Sequence, residues 1–496
     1  MQKKKKSKKI RKNNKFTLEN IIDVEIKKNS IRKTFTKEQI DYSNIIAKKK
    51  FFEHEDLTHI PFVTIDGKNA RDFDDAVWAS NEKKNLEFKV AIADVSFFIK
   101  KNDPLDKEAK KRGNSFYFPN KVIPMIPKVL SDNICSLVPN ERRACIVIHF
   151  KVDHSGKLMF SNIQRAVIKT IARLNYEEVD EYLINKKKKY IYTKVIDNLF
   201  FVYSGLNKIS NHRGKINILR SEFVLVQKKN QKQFSIKEKK KMLSEKIIEE
   251  LMIYTNATIA ELLKKKKKLN PYRNHEKPNK EKLEKLKIIL KQNNINLSLE
   301  NVEANEFRTI LENNNSKVIN ELILKSQSKA NYQIKSIGHF GLALENYTHF
   351  TSPIRRYADI LVHRALLDDS FNEERIENLL IYLTDQEKKS ENIERNILAK
   401  ACCLFINKNK IKKLTGHIDG FIESGIFVIA DTLPLSCFIK FSSIGNDFYT
   451  FDHNEYVVSG QKTGIIFKVG DRVSFKIKSS NSKTGKILGN SLKKLE

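Results

Sequence analysis

Between residues 60 and 65 the apolar side chains Phe62, Val63 and Ile65 crowd together, and Asp66-Gly67 follows at once. That pattern predicts a short buried strand closed by a tight turn. Leu86, Phe88, Val90 and Ile92 alternate with polar or small residues, the period of a strand. Residues 144–152 and 161–170 read the same way. Pro119, Pro124 and Pro127 predict an ordered loop without regular structure between them. Over 236–268 the spacing becomes helical, with Leu243, Ile247, Leu251, Tyr254, Thr258 and Leu262 on one side. A further helix is predicted to start at Thr351 or Ser352, with Pro353 in its first turn and Ile354, Ala358, Leu361 and Ala365 as its apolar stripe. Residues 37–50 and 372–408 also read as helical. Beyond Leu414 the period shortens again, at 416–420, 425–429, 437–439, 464–467 and 470–477. Five or so short strands over that span predict a small barrel. The chain is therefore of the α+β class: a mixed body followed by a β-barrel.

The first predicted strand runs into Thr64-Ile-Asp-Gly-Lys-Asn-Ala-Arg-Asp-Phe-Asp-Asp-Ala76, which places Asp66, Asp72, Asp74 and Asp75 within ten residues. Charges this close raise one another's pKa values unless a cation lies among them. Oxygen ligands with no neighbouring Cys or His suit magnesium or manganese rather than zinc. The simplest use of such a set is hydrolysis of a phosphate ester. A solvated turn or a structural calcium site is the competing reading. Against a mobile loop stand the preceding strand, Phe73 in the middle and Ala76-Val-Trp78 after it. The spacing also lacks the final glutamate of an EF-hand.

Composition narrows the partner. The 496 residues carry a formal net charge of +34, which favours a polyanion such as nucleic acid, although Lys-rich runs at 186–189 and 264–268 also fit solvated loops or helix ends. Residues 1–16 read as a basic tail. The five cysteines, Cys135, Cys145, Cys402, Cys403 and Cys437, show no metal-ligand spacing and fit a reducing cytoplasm. No apolar run follows the charged start and none is long enough to span a membrane, so no membrane partner is expected.

Arg355 and Arg356 fall in the predicted first turn of their helix, where the dipole disfavours cations. A bound phosphate would offset that cost, and so would a salt bridge from Arg355 to Asp359. Tyr117 suits either stacking on a base or anchoring its loop. Asp94 reads as a turn carboxylate. Glu249 and Glu250 sit mid-helix, where exposure is the default and a functional cavity facing one of them is the competing reading. Phe421, Phe427 and His417 fit either an oligonucleotide-binding face or a barrel core.

Taken together, Thr64-Ile-Asp-Gly, Asp72-Phe-Asp-Asp-Ala76, Ala91-Ile-Ala-Asp-Val-Ser96, Tyr117-Phe-Pro119, Gly338-His-Phe-Gly-Leu-Ala-Leu344 and Phe350-Thr-Ser-Pro-Ile-Arg-Arg-Tyr357 resemble the ribonuclease II/ribonuclease R exoribonucleases, ribonuclease R more closely. The resemblance implies an RNB catalytic domain over 55–408 and an OB-fold of the ribosomal S-one type over 409–496, preceded by a basic lead-in over 1–54. It implies processive 3′-to-5′ hydrolysis of single-stranded RNA to nucleoside 5′-monophosphates; a monomer in the cytoplasm is expected alongside. Asp66, Asp72, Asp74 and Asp75 would hold magnesium, with manganese as the substitute, and Asp74 or Asp75 would be most sensitive to loss. Arg355 would contact the scissile phosphate. Tyr117, Tyr176, Glu250 and Arg356 would lie along the RNA, with Phe421 and Phe427 on the barrel. An RNA-binding protein of the same fold without catalysis is the alternative. Three departures stand out. The stretch before Glu55 is too short for the two cold-shock-type barrels with which the family usually begins. Asn69 replaces an Asp usual in ribonuclease R, and 214–218 lacks an aromatic that some members use to grip RNA.

Overall fold

The computed structural model describes residues 17–50, 54–82, 85–186, 191–218, 222–227, 233–298, 302–314, 316–367 and 373–495. The basic tail at 1–16 and most of the 186–189 lysine run lie outside them. The chain forms two compact units. One comprises 32–222 and 238–391; the other comprises 1–31, 223–237 and 392–496. The expected boundaries after 54 and 408 divide the chain differently.

The larger unit is built on a seven-stranded sheet. Its strands are β1 (Glu55–Asp56), β2 (Val63–Asp66), β3 (Asp75–Glu82), β4 (Asn85–Ala93), β5 (Arg142–Val152), β6 (Leu158–Lys169) and β7 (Ala172–Asn175), in the order β1-β6-β5-β4-β3-β2-β7. β1 pairs parallel with β6 and β2 parallel with β7; the remaining pairs are antiparallel. Period-two alternation places Phe88, Val90 and Ile92 of β4 on one face with Ile146, Ile148 and Phe150 of β5. Helices Thr193–Arg213 and Leu243–Lys265 cover that face. Ala91 and Ala93 point to the other face, against Leu105 and Ala109 of helix Pro104–Arg112 and Ile360 and Leu361 of helix Tyr357–Leu366. Small side chains on this second face let those helices approach closely, so the central strands are buried on both sides.

Two helices depart from expectation. Residues 234–239 form a strand, and the helix begins only at Leu243. The predicted helix at Thr351 begins at Tyr357, because 353–356 form a turn pinned by neighbours distant in sequence. The Ser115 N–H donates to the Arg355 carbonyl at 3.0 Å and the Tyr357 N–H to the Gly113 carbonyl at 2.9 Å.

The smaller unit contains a closed barrel of β8 (Lys413–Ile422), β9 (Gly425–Ala430), β10 (Ser436–Lys440), β11 (Arg472–Asn481) and β12 (Lys486–Lys494), ordered β8-β9-β10-β12-β11. β10 and β12 pair parallel and the rest antiparallel, the connectivity of an OB-fold. The predicted strand at 464–467 is not a barrel strand. Ile466–Phe467 belongs to a separate three-stranded sheet, and 486–494 closes the barrel instead. Gly416 is required by close approach: a Cβ there would overlap the Ile429 carbonyl oxygen. Helix Leu18–Lys28 belongs to this unit, where its fully buried Glu25 pairs with Lys400. Among the described residues no helix is long and apolar enough to cross a membrane.

Candidate active site

The acidic loop is held at both ends by backbone. Asp66 ends β2, in register with Asn175 of β7, and the Ala70 N–H closes a turn on the Gly67 carbonyl at 2.9 Å. Further along, the Phe73 N–H donates to Ser136 Oγ at 3.0 Å, and the Leu137 N–H donates to the Phe73 carbonyl at 3.0 Å. The Ala93 N–H donates to the Asp74 carbonyl at 2.9 Å, and Asp75 opens β3 opposite Ile92. Asp74 is buried, and Asp66, Asp72 and Asp75 are partly buried.

The arginine turn meets this loop. The Ile354 N–H donates to Asp74 Oδ1 at 2.8 Å, and Arg355 Nε lies 3.4 Å from Asp74 Oδ2. Arg355 also donates to Ser352 Oγ at 2.9 Å while its side chain stays 46% exposed. The Tyr117 hydroxyl donates to Asp72 Oδ2 at 2.5 Å. Tyr176 belongs to the same neighbourhood: burial first, then Asp66 and Asp75, push its hydroxyl pKa upward.

The electrostatics are those of a carboxylate cluster in want of positive charge. Burial, followed by Asp72, pushes Asp66 up to about 7, against the pull of Arg355 and Arg173. Burial pushes Asp74 up to about 8, opposed by Arg355 and the Ile354 N–H. Asp75 is raised well above the carboxylate range by burial, Asp66 and Asp74. Asp66 Oδ2 is buried and accepts no hydrogen bond from the described residues. An orphaned hard oxygen among acids of raised pKa fits a divalent cation in kind. Among the described residues, however, no three His, Cys, Asp or Glu side chains converge as a ready-made ligand set.

The remaining predicted residues are placed otherwise. Arg356 is held by Asp359 through two hydrogen bonds, of 2.8 and 2.7 Å, so Asp359 pairs with Arg356 rather than with Arg355. Both arginines precede the helix, with Arg356 as its N-cap, so neither opposes the dipole from inside the first turn. Glu250 is buried rather than exposed and faces a cavity, the competing reading for this pair of glutamates. It accepts from Ser210 at 2.7 Å and from Lys215 at 2.5 Å, and it lines a cavity of about 310 Å³ between helices Thr193–Arg213 and Leu243–Lys265. Glu249 takes Lys215 at 3.0 Å and Lys241 at 2.6 Å. In the barrel Phe421 is buried, 5.6 Å from both Phe451 and Tyr456, and offers no open face to a base. Phe427 is half-buried against Phe438 at 5.0 Å.

Sequence reasoning missed Arg173, and it assigned Asp359 to Arg355 where the structure pairs it with Arg356. Arg173 lies in the Ala172-Arg-Leu-Asn-Tyr176 run, which drew notice only for Tyr176. The parallel pairing of β7 with β2, which carries Arg173 to the acidic loop, leaves no sequence signal.

A family model, the RNB domain, matches residues 54–368. The chain is 34% identical to ribonuclease R of Vibrio cholerae over 454 residues, covering 86% of this chain and 55% of that protein. It is 32% identical to ribonuclease R of Escherichia coli over 459 residues, 87% of this chain and 56% of the other. It thus spans little more than half the length of these curated relatives. The fold superposes on Mycoplasma genitalium RNase R, solved in complex with ribose-methylated single-stranded RNA, with a TM-score of 0.89 and 28% identity over 96% of this chain and 78% of that one.

Proposed function

Because this chain belongs to the RNB-domain family, we propose that it is a processive 3′-to-5′ exoribonuclease that hydrolyses single-stranded RNA to nucleoside 5′-monophosphates with magnesium. The observation that carries this reading is the meeting of the two motif stretches: the 353–356 turn delivers the Ile354 N–H and Arg355 to Asp74, beside Asp66, Asp72 and Asp75. The RNA seated in the Mycoplasma genitalium relative supports the substrate class.

Magnesium, or manganese in its place, would be held by Asp66, Asp72, Asp74 and Asp75 and would supply Lewis acidity toward the phosphate and its attacking water. The protein's own groups do the rest. Arg355, half-exposed beside Asp74, neutralises charge gathering on the scissile phosphate. Tyr117 is tied to Asp72 by its hydroxyl, and its ring is the group we assign to stacking on the terminal base. Tyr176 closes the neighbourhood from the β7 side. Buried free cysteines support a reducing, cytoplasmic setting, and we read the chain as a monomer.

The test uses end-labelled single-stranded RNA and a DNA of the same sequence, with magnesium, against wild type and Asp74→Asn. Mononucleotide release from RNA that vanishes in the variant supports the proposal. Wild-type protein that binds RNA but releases nothing replaces it with a silent RNA binder on the same fold.

A further inference from the structure

We infer that Arg173 is a positioning residue that braces the acidic loop, fixing Asp66 relative to Asp72 and Asp74. The inference rests on the proposed metal-dependent hydrolysis and adds the device that shapes its site.

Arg173 lies on β7, in register with Thr64 of β2. Its Nη2 donates to the Gly67 carbonyl at 3.0 Å and to the Lys68 carbonyl at 2.7 Å, the two peptides directly after Asp66. Its guanidinium carbon stands 5.5 Å from the ring centroid of Phe73, the residue between Asp72 and Asp74. One planar cation therefore grips the outgoing end of the loop by hydrogen bonds and its returning end through an aromatic face. Its Nε is buried without a hydrogen-bond partner among the described residues.

The two ends need different support. At the Phe73 end the backbone is already tied to Ser136 and Leu137. At the other end the Ala70 N–H ties the Gly67 carbonyl at 2.9 Å, and Gly67 has no side chain of its own to pack. Arg173 Nη2 adds side-chain ties there, to both the Gly67 and Lys68 carbonyls. Groups that orient metal ligands commonly matter about 10–100-fold in metal affinity or activity. Lysine at this position keeps the charge but loses the rigid planar group and its flat face toward Phe73.

The test titrates RNA-free protein with manganese and follows the free ion by electron paramagnetic resonance. Arg173→Lys should bind manganese about tenfold more weakly. It should also need correspondingly more magnesium for half-maximal RNA hydrolysis, at unchanged KM for RNA. Unchanged manganese affinity overturns the inference, whether the variant shows a lowered melting temperature, which makes Arg173 merely structural, or a raised KM, which makes it an RNA contact. Should Arg173→Lys not fold, Arg173→Gln, which removes the charge and the stacking group, must likewise bind manganese about tenfold more weakly; no change there overturns the inference equally. Wild-type protein that binds manganese but does not hydrolyse RNA would defeat the exoribonuclease reading and leave the brace intact.

Discussion

Arg355 Nε lies 3.4 Å from Asp74 Oδ2, while the neighbouring Ile354 N–H donates to Asp74 Oδ1 at 2.8 Å. One buried carboxylate thus takes a neutral donor on one oxygen and a cation on the other. The cation stays 46% exposed and so can share its charge with an incoming phosphate. Lysine would preserve the charge and lose the planar fork. Arg355→Lys should therefore lower kcat by about 10²-fold with RNA affinity little changed. Single-turnover cleavage alongside filter binding measures both. A variant that cleaves at the wild-type rate removes Arg355 from the chemistry.

Lys215 and Glu250 form a buried pair, with only 7% and 6% of their side chains exposed, and Glu249 adds a second carboxylate at 3.0 Å. Removing the ammonium leaves Glu250 with Ser210 as its donor among the described residues. Lys215→Met should cost about 3–5 kcal/mol of stability. Lys241→Met, whose 48%-exposed side chain serves Glu249 at the surface, should cost no more than about 1 kcal/mol. Urea denaturation of the two variants compares them, and equal losses would contradict the assignment of Lys215 as the buried partner.

The acidic cluster was legible because four carboxylates crowd behind a buried strand, and local density is something a sequence displays. The strand pattern of β4 was legible for a similar reason, since Phe88, Val90 and Ile92 alternate within one element. The start of the 357–366 helix was not. Pro353 marks the beginning of a turn, and that turn is fixed by backbone bonds to Gly113 and Ser115, which no local pattern encodes. The closing barrel strand was missed because Lys486–Lys494 alternates weakly and carries polar residues in its middle. Exposure was the default for Glu250, with a cavity left open, because its partner Lys215 lies on another segment. Arg173 escaped notice because its role depends on which strand lies beside β2.

Asp94 offers a pH test away from the acidic cluster. Burial would raise its carboxyl, but His54, the Arg165 guanidinium and the Ser96 hydroxyl together outweigh burial and hold it well below the usual carboxylate range. Arg165 Nε and Ser96 Oγ each donate to it at 2.7 Å, and the Phe97 N–H donates at 2.9 Å. An unfolded chain protonates this group near pH 4, while the folded chain keeps it ionised below that. Between the two values the unfolded state binds more protons, so the stability Asp94 contributes is complete above about pH 4 and is lost as pH falls through the folded value. Asp94→Asn should cost about 3 kcal/mol at neutral pH. Denaturation midpoints from pH 7 down to 3 should show the gap to wild type narrowing at the acid end; a constant gap would mean that the carboxylate charge is not what stabilises.

In the barrel, the two aromatics expected on the RNA face separate by burial. Phe421 sits 5% exposed between Phe451 and Tyr456, whereas Phe427 is half-buried and paired with Phe438 across β9 and β10. Truncating a buried phenylalanine removes its contacts and leaves a cavity, so Phe421→Ala should destabilise the protein by about 3–5 kcal/mol. Its effect on RNA should follow from unfolding alone and vanish when affinity is measured well below the melting temperature. Phe427→Ala should leave the melt nearly in place. If its ring stacks on a base, it should weaken single-stranded RNA binding by about 1–3 kcal/mol. Because stacking is not ionic, the slope of log affinity against log salt should stay the same in Phe427→Ala, while neutralising a phosphate-contacting lysine would lower its magnitude by about 0.7 per contact. Fluorescence anisotropy over a salt series distinguishes these outcomes. Unchanged affinity in Phe427→Ala would place the RNA face of the barrel on other side chains.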